Sequence, residues 1–474
     1  MVLVQLNSQI WNIPSLPDNP TVAVAPFLPE EPDGSLPSTG RVISEVMTLA
    51  LWQLPSLNMY HHWLLARDSH HLRQKLPTVS QYALKFMRRH GVQLLIAGTY
   101  RRQGNSLRVK VHVLKEEKKG VISLCKALPA EGDYEDLPRW LTYFCFHLVE
   151  RILPGCASPC EETPLMLDAP IAAIEWVCAA LDYASLDAVY DSAAHYLQKA
   201  QKEAPDSAYV RFASTIAGDE LRDVDTCKEV LRKNPDFLPA YFPDGSVRTD
   251  DYEELAEAKK LYLQGLSRSP LNMHGYFGLR EICVRQGDAD TLIPFAKLHT
   301  VRGTFSSQSN QFGDTFLQCM EKARQHEQYE MARRLFEAAI EMIDDPDQQA
   351  KLLKKRGQIE EWDSDTERAI WFYEQSLQLK RSLRLMTHIA DLHLGQGRIS
   401  EAESLYLQAL SAGKRLSRTR RIEAQFGLAR CYEERGMTWR AGKIYKKLSK
   451  QAASNGSLYP LLLYACDWLR RNQQ

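Results

Sequence analysis

The sequence predicts an α/β N-terminal domain followed by an all-α solenoid of helical hairpins. At 474 residues the chain is too long for a single hydrophobic core. A short Val-rich run, Thr21–Phe27, is typical of a strand buried on both faces of a sheet. Beyond residue 168, small and aromatic residues recur with a period of about 34, which indicates stacked hairpins.

The composition is that of a globular protein without a global charge bias. Fifty-nine basic residues balance 59 acidic ones, so no overall field attracts nucleic acid or anionic lipid. The N-terminus lacks the features of a secretory signal, and no uncharged apolar stretch reaches about 18 residues. Ten cysteines are scattered singly, mostly within apolar helical patterns, which suits a reducing compartment. We therefore expect a cytoplasmic protein.

Residues 21–153 alternate between strand and helix patterns, after a Pro- and Asn-rich tail at 1–20. Apolar strand runs separated by amphipathic helix patterns give the order β-α-β-α-β. These elements are predicted at 21–27, 38–54, 59–65, 80–90 and 92–100. The order predicts a sheet with helices packed on it.

A β-hairpin and a helix complete the predicted domain. Leu107, Val109 and Val111 alternate with polar residues, and a return strand follows at 121–126. The closing helix is predicted at about 137–153. We predict a linker at 154–168, where several Pro and Glu occur, and assign the remainder of the chain, 169–474, to the helical array.

The clearest repeat unit runs from about Leu383 to Lys414. Small residues allow its two helices to cross closely, and aromatic residues fill the gap to the next hairpin. The positions that match are Ala390, His393, Gly397, Ala402, Tyr406, Ala409 and Leu410. The next unit repeats the register at Leu428, Ala429, Tyr432, Gly436, Ala441, Tyr445 and Leu448. We predict irregular stretches within the array near 206–250 and at 303–313.

Residues 169–474 resemble the tetratricopeptide repeat (TPR) family, most specifically at Leu383–Lys450. This resemblance implies a right-handed solenoid whose groove binds peptides or helices. Residues 21–153 resemble the α/β domain related to the N-terminal domain of TolB and to FlgO. The matching segments are VAVAPF at 22–27, the helix after Gly40, and GVQLLIAGTYRRQGNSLRVKVHVL at 91–114. That resemblance implies a bacterial protein; if no further module precedes Thr21, the chain acts through binding.

The sequence predicts no enzymatic activity, cofactor or metal site. No Walker-type loop, GxSxG elbow, HExxH or GxGxxG-after-strand pattern occurs. The pairs His61–His62 and His70–His71 each offer one ligand at most, because adjacent strand residues point to opposite faces. Cys156 and Cys160 lack a second Cys or His pair nearby, which favours linker thiols over a zinc site.

A mixed-charge groove is predicted from the repeat register, since the first helix of each TPR-like hairpin lines the concave side. The groove residues are Lys351, Lys354, Gln358, Arg384, Thr387, Asp391, Arg430 and Glu433. Lys354 and Arg384 could hold a carboxylate or an acidic peptide through charge-assisted hydrogen bonds. The groove lacks the asparagines of the carboxylate clamp that reads chaperone tails. A merely solvated groove is the alternative.

The strongest local charge bias lies between Lys414 and Lys450, where twelve Lys and Arg face three Glu. The basic patch is assigned to Arg415, Arg418, Arg420, Arg421, Arg440, Lys443, Lys446 and Lys447. It could be a solvated helix face or dock an acidic protein, nucleic acid or anionic lipid. Nucleic acid is the less favoured partner, because Tyr432 and Tyr445 are required by the repeat core.

The sequence therefore favours a non-enzymatic scaffold or adaptor that binds partner proteins through the groove and the basic C-terminal repeats. The alternative is a signalling or transcriptional regulator whose α/β domain senses a small ligand such as a nucleotide. For that alternative, Arg101, Arg102, Arg108 and Lys110 around the hairpin are candidate phosphate ligands. A polar outer strand face explains these four cations equally well.

Overall fold

The computed structural model describes most of the chain and divides it into two compact units. The described residues are 20–31, 39–54, 57–59, 87, 92–116, 122–124, 128–152, 167–184, 190–217, 224–243, 251–270, 272–302, 314–412, 417–449 and 459–472. Unit 1 is Met1–Thr315 and unit 2 is Phe316–Gln474. Both histidine pairs, the Cys156–Cys160 pair and the stretch 303–313 lie outside the described residues, as does most of the predicted helix at 80–90.

A mixed sheet occupies the N-terminal part of unit 1. Its described strands are β1 Thr21–Val24, β2 Leu28–Pro29, β3 Asn58–Met59, β4 Leu94–Gln103, β5 Ser106–Glu116, β6 Ile122–Leu124 and β7 Leu128–Asp133. The main order is β3-β1-β4-β5-β6, with β2 beside β4 and β7 beside β5. β1 runs parallel to β3 and β4, whereas β4 and β5 form an antiparallel hairpin. Val22, Ala23 and Val24 are at most 2% exposed, as a central strand requires.

Nine described helices belong to unit 1. They are α1 Thr39–Trp52, α2 Leu137–Ile152, α3 Ile171–Ala184, α4 Tyr190–Glu203, α5 Ala208–Ala217, α6 Val224–Lys233, α7 Tyr252–Arg268, α8 Met273–Gln286 and α9 Ala289–Arg302. α1 and α2 pack together, as predicted for helices that cover the sheet. α1 approaches β1 closely because residue 40 is glycine: a Cβ there would lie 1.8 Å from the Phe27 carbonyl oxygen.

Polar contacts join the α/β part of unit 1 to its first array helices. Arg41 on α1 is 1% exposed and lies 3.3 Å from Asp182 on α3. The Tyr209 hydroxyl on α5 donates to Glu45 on α1, at 3.2 Å. A buried charged network is geometrically demanding, because each group needs its partner in place. These contacts therefore fix the orientation of α1 against α3 and α5.

Asp168 ties the start of the array to α5. Its carboxylate accepts a 2.5 Å bond from the Ser207 hydroxyl and bonds of 2.7 and 3.1 Å from the amides of Ala208 and Tyr209. These amides belong to the first turn of α5, where backbone donors lack intrahelical partners. A carboxylate from a distant segment thus caps this helix and holds α3 next to it.

The stretch 206–250 contains more regular structure than the sequence analysis predicts. α5 and α6 lie within it, and a 3₁₀ helix spans Leu238–Tyr241. Pro235 follows α6, Pro239 lies in the 3₁₀ helix, and Pro243 follows it, so none of them interrupts an α-helix. The close succession of prolines marks the connections between short helices.

Unit 2 is a stack of helical hairpins, which confirms the predicted solenoid architecture. α10 spans Asp314–Gln325, at the boundary, and is followed by α11 Tyr329–Ile340, α12 Pro346–Trp362, α13 Thr366–Leu379, α14 Leu383–Gly395, α15 Ile399–Ser411, α16 Arg418–Glu434, α17 Thr438–Ser449 and α18 Tyr459–Arg471. Ala390, Ala402 and Tyr406 are fully buried where α14 and α15 cross. Gly397 turns the hairpin with a φ of 73°, a left-handed conformation that favours glycine.

A buried ionic cluster joins α11 and α12. Glu360 is fully buried, and its carboxylate lies 2.7 Å from Arg356 and 2.9 Å from Arg333. The Arg356 guanidinium also lies over the rings of Phe336 and Phe372, at 5.6 and 5.1 Å from their centroids. Arg356 thus depends on the Glu360 carboxylate in an apolar environment, whereas Arg333 also pairs with Asp363 and Glu330.

We expect Glu360→Gln to destabilise unit 2 by about 3 kcal/mol, because it leaves the buried Arg356 guanidinium without the carboxylate it pairs with, while Arg333 keeps Asp363. The measurement is urea unfolding of the full chain. Glu367→Gln is the matched control: Glu367 is 67% exposed and pairs with Arg398 at 2.9 Å, so about 0.5 kcal/mol or less is expected. Equal effects of the two substitutions would contradict this account.

A second prediction concerns His299 on α9, which is fully buried with its ring centroid 4.3 Å from that of Tyr276. Burial lowers the pKa of His299 to about 4. In the unfolded chain the imidazole takes up a proton below about pH 6.5, while the folded state resists protonation until about pH 4. The free energy of unfolding therefore falls as the pH drops through this window, by about 3 kcal/mol at most.

We expect His299→Gln to flatten the pH dependence of stability between about pH 6.5 and 4. Denaturant unfolding at several pH values measures it. His147→Gln, at an exposed position on α2, should leave the slope as it is. An unchanged pH dependence of the free energy of unfolding in His299→Gln would show that other titrating groups cause it.

Candidate protein-binding groove

The predicted groove residues lie on the first helices of three consecutive hairpins in unit 2. α12 carries Lys351, Lys354 and Gln358; α14 carries Arg384, Thr387 and Asp391; α16 carries Arg430 and Glu433. Spacings of three and four residues place each helix's members on one face. We call these eight positions the groove face. Seven of its side chains are exposed or half-buried.

Thr387 is the exception within the groove face. It is 3% exposed, and its hydroxyl donates to the Arg384 carbonyl oxygen at 2.9 Å. This bond to its own helix satisfies the hydroxyl. The structure therefore gives Thr387 a packing role rather than a surface for a ligand.

Lys354 and Arg384 form a cationic pair across neighbouring hairpins. Burial, the charge of Arg384 and the charge of Lys355 together lower the pKa of Lys354. Lys355 has a carboxylate partner, Glu321, at 2.6 Å. Among the described residues, no acidic side chain pairs with Lys354 or with the Arg384 guanidinium. Uncompensated like charges side by side are unfavourable, and a bound anion relieves them.

The groove-side carboxylate of Glu361 is occupied by partners from two hairpins. The Tyr373 hydroxyl, from α13, donates to it at 2.7 Å, and His388 Nε2, from α14, lies 2.8 Å away. The bond to His388 is the main reason that the pKa of Glu361 is lowered. Gly357 makes room for the tyrosine, since a Cβ there would lie 2.6 Å from its ring.

Glu433 has the same arrangement two hairpins later. It accepts hydrogen bonds from Tyr445 on α17 at 3.0 Å and from Tyr464 on α18 at 3.2 Å. A cavity of about 290 Å³ opens beside it, lined by Glu433, Thr438, Tyr464, Asp467, Trp468, Arg471 and Asn472. Glu433 is therefore held between its own hairpin and the last helix.

The middle hairpin differs. The Tyr406 hydroxyl donates to Asp391, a groove-face residue on the same hairpin. Asp391 is exposed to the groove yet surrounded by neighbouring helices, so desolvation raises its pKa. Gly427 on α16 lies against the tyrosine, and a Cβ there would be 2.2 Å from the ring. The three tyrosines thus each engage a carboxylate on a first helix.

The sequence analysis places Tyr406 and Tyr445 in the core, as the structure confirms, but misses Glu361, His388 and Tyr464. A signal was present. A buried tyrosine hydroxyl usually finds a hydrogen-bond partner, and the nearest candidates in the register are carboxylates on the first helices. A search of the first helix of each repeat for such a carboxylate would have found Glu361 as the partner of Tyr373.

The predicted basic patch is only partly uncompensated. Arg420 pairs with Glu423 at 2.9 Å, and Arg415 lies outside the described residues. Arg418 and Arg421 lie on α16 and have contacts of their own. The remaining four cations are all on α17 and all exposed: Arg440, Lys443, Lys446 and Lys447.

The hairpin cations of the α/β part have carboxylate partners. Lys110 lies 2.6 Å from Glu30, and Arg108 lies 2.8 Å from Glu131. Two longer pairs, at 3.5 and 3.7 Å, are Arg101–Glu31 and Arg102–Glu175. Because each of the four cations has a carboxylate partner, a polar strand face explains them better than a phosphate-binding site does.

Within the described part of the chain, no group of three or more His, Cys, Asp or Glu side chains is arranged to hold a metal ion. The described cysteines are free thiols, and six of the seven are buried. Burial raises the pKa of Cys145 and Cys178, which disfavours the reactive thiolate. No described helix is long and apolar enough to cross a membrane.

The stacked hairpins, with Tyr373, Tyr406 and Tyr445 buried in three successive ones, define unit 2 as a TPR-like helical-repeat array. No protein-family model matches the sequence, and no curated protein matches it. Among solved structures, MamA is 16% identical, with coverage of 36% of this chain and 93% of its own and a TM-score of 0.27. PilF of Pseudomonas aeruginosa is 14% identical, with coverage of 46% of this chain and 93% of its own and a TM-score of 0.27.

Yeast Tom70 is 12% identical over 66% of each chain, with a TM-score of 0.31. At TM-scores this low, the likenesses carry no argument about this chain. The repeat architecture rests on the buried crossings and the turn glycines described above. The groove face rests on the register of those repeats.

We expect Tyr445→Phe to destabilise unit 2 by about 1–2 kcal/mol, because the ring still packs while Glu433 loses a donor. Urea unfolding measures the change. Tyr432→Phe is the control: Tyr432 is half-buried and its ring remains available to Arg440, so a smaller loss is expected. A neutral Tyr445→Phe would mean that the hydroxyl bond to Glu433 contributes nothing to stability.

Proposed function

We propose that this chain is a non-enzymatic scaffold that holds an acidic segment of a partner protein on the groove face of unit 2. The observation that supports this is the cationic pair Lys354 and Arg384, which has no carboxylate partner among the described residues. A partner's Asp, Glu or C-terminal carboxylate supplies the missing counter-charge. Arginine provides a forked donor for such a group, and lysine a compact charge beside it.

The neighbouring carboxylates also support an acidic partner. Glu361 and Glu433 each accept hydrogen bonds from two side chains, and Asp391 accepts one from Tyr406. Their oxygens therefore already have hydrogen-bond donors within unit 2. Arg430 on the groove face is exposed and makes no ion pair with a described acidic side chain. With four basic and two acidic side chains, the groove face has a net positive charge.

We propose that the α/β part of unit 1, which resembles the TolB N-terminal and FlgO-like domain, orients the first array helices or docks a second partner. The Arg41–Asp182 and Tyr209–Glu45 contacts support the orienting role, because they hold α1 against α3 and α5. The cytoplasm is the compartment we propose, since the described cysteines are free thiols. The function requires binding and no chemistry.

The test is capture of partner proteins from native cells by the full chain, followed by mass spectrometry and an affinity measurement with the purified partner. We expect Lys354→Glu with Arg384→Glu to weaken binding at least tenfold, because two attractive contacts become repulsive. Arg384 is exposed, Lys354 is half-buried, and neither pairs with a described carboxylate, so the melting temperature should change little.

The matched control is Lys380→Glu with Arg381→Glu, which makes the same charge change between α13 and α14. Lys380 already pairs with Asp347 at 2.8 Å, and both residues are exposed. Binding that survives the groove variant, or that falls equally in the control, would remove the groove face from the proposal.

A further inference from the structure

The outer face of α17 concentrates positive charge around an exposed tryptophan. α17 contains no Asp or Glu along Thr438–Ser449. Trp439 is 75% exposed. At 100° per residue, Trp439, Arg440, Lys443, Lys446 and Lys447 fall within a sector of about 120° on one side of the helix. The opposite side carries Ala441, Tyr445 and Leu448, which are fully buried in the core.

These charges are not neutralised by the surrounding structure. Lys443 lies over the Trp439 ring, 5.6 Å from its centroid, and Arg440 lies over Tyr432 at the same distance. Arg440 also contacts the Met437 sulfur at 3.8 Å. Among the described residues, the four cations of this face pair with no carboxylate. The face is therefore a compact cationic surface with an aromatic group among its charges.

The equivalent helix two hairpins earlier shows that this is a property of α17 rather than of the repeat. α13 also exposes a tryptophan, Trp371, at 53%. Its neighbourhood is mixed, because Glu367 and Glu374 lie on the same helix and Arg368 approaches Asp365 at 3.9 Å. Among the described second helices of unit 2, α13 and α17 each expose a tryptophan, and of these two only α17 surrounds it with uncompensated cations.

We propose that this face of α17 docks the chain peripherally on an anionic lipid bilayer. It lies opposite the buried side of a second helix, so it presents a ridge rather than a groove that could enclose a peptide. Twelve residues give a helix about 18 Å long, which offers its charges to a plane. Tryptophan favours the headgroup region, and lysine stems cover apolar surface while their ammonium groups stay among phosphates.

The number of cations sets the expected affinity for a membrane, and the arrangement of aromatic side chains favours a lipid bilayer over nucleic acid. Each cation near an anionic membrane raises the binding affinity about fivefold. Four cations together therefore give binding that is reversible and weakened by salt. Proteins bind single-stranded nucleic acid in a groove where successive bases stack on aromatic side chains. Here Tyr445 is buried in the core, which leaves Trp439 as the exposed ring on this face among the described residues. This face is separate from the groove face and does not depend on it.

The experiment is flotation of the full chain with vesicles of phosphatidylcholine alone and of phosphatidylcholine with 30% phosphatidylglycerol. We expect binding to the anionic vesicles only, weakening steeply as salt is raised. Lys443→Glu with Lys447→Glu should reduce it at least tenfold, and Trp439→Ala should reduce it several-fold. Trp371→Ala is the matched control and should retain full binding.

Three outcomes would overturn the proposal. These are no binding to anionic vesicles, equal binding to neutral and anionic vesicles, and undiminished binding by the lysine variant. Retention of the chain by polyglutamate or by a single-stranded oligonucleotide, without vesicle binding, would assign the face to an acidic protein or to nucleic acid instead. Groove-dependent partner capture that persists in the α17 variants would leave the proposed scaffold function standing.

Discussion

Three successive hairpins of unit 2 depend on a hydrogen bond from a tyrosine on the second helix to a carboxylate on the first helix. Phe336 takes the tyrosine position in the hairpin before them. The tyrosine ring fills the space beside small residues, so the helices can pack closely. Its hydroxyl is carried into a partly buried site and has to be satisfied there. The carboxylates that satisfy it are Glu361, Asp391 and Glu433. Packing of the repeat and the chemistry of the groove are therefore set by the same three bonds.

This constraint bears on the proposed groove face, because it gives the acidic side chains there hydrogen-bond donors from within unit 2. The groove-side acids are committed to tyrosine hydroxyls, and Glu361 has a histidine partner as well. Lys354, Arg384 and Arg430 have no comparable obligation among the described residues. The chain as a whole has balanced charges, whereas the proposed groove face has four basic and two acidic side chains.

Much of the fold follows from sequence pattern. Buried Val-rich strands, amphipathic helices and the spacing of Ala390, Gly397 and Tyr406 carry strong signals, and the structure confirms them. β7 was not predicted, because Leu128–Asp133 is short and contains Pro and Gly, and its pairing with β5 is set by the hairpin it covers. α5 and α6 were missed because each is ten residues long and bounded by prolines or unperiodic segments.

The repeat register predicts where the groove lies, but it does not predict which of the charged side chains there are paired. Which carboxylates are engaged depends on contacts between hairpins, such as Glu361 with His388, that no local pattern encodes. The same holds for the α/β part, where Lys110 finds Glu30 across 80 positions of sequence. Burial of Thr387 likewise depends on the neighbouring hairpin rather than on its place in the register.

The fit of Tyr406 against Gly427 makes the joints of the array unequal. Glu361 and Glu433 bond to side chains on the following first or last helix, so those joints respond to the ionisation of a carboxylate. Between α14 and α16 the tyrosine keeps its bond within its own hairpin, and the next helix supplies only a notch where a side chain is missing. That fit responds to shape, and the ion pair of Arg435 with Glu403 is a separate charged contact between the same two hairpins. Neutralising Glu361 would therefore weaken the contact between α12 and α14 without changing the fit of Tyr406 against Gly427.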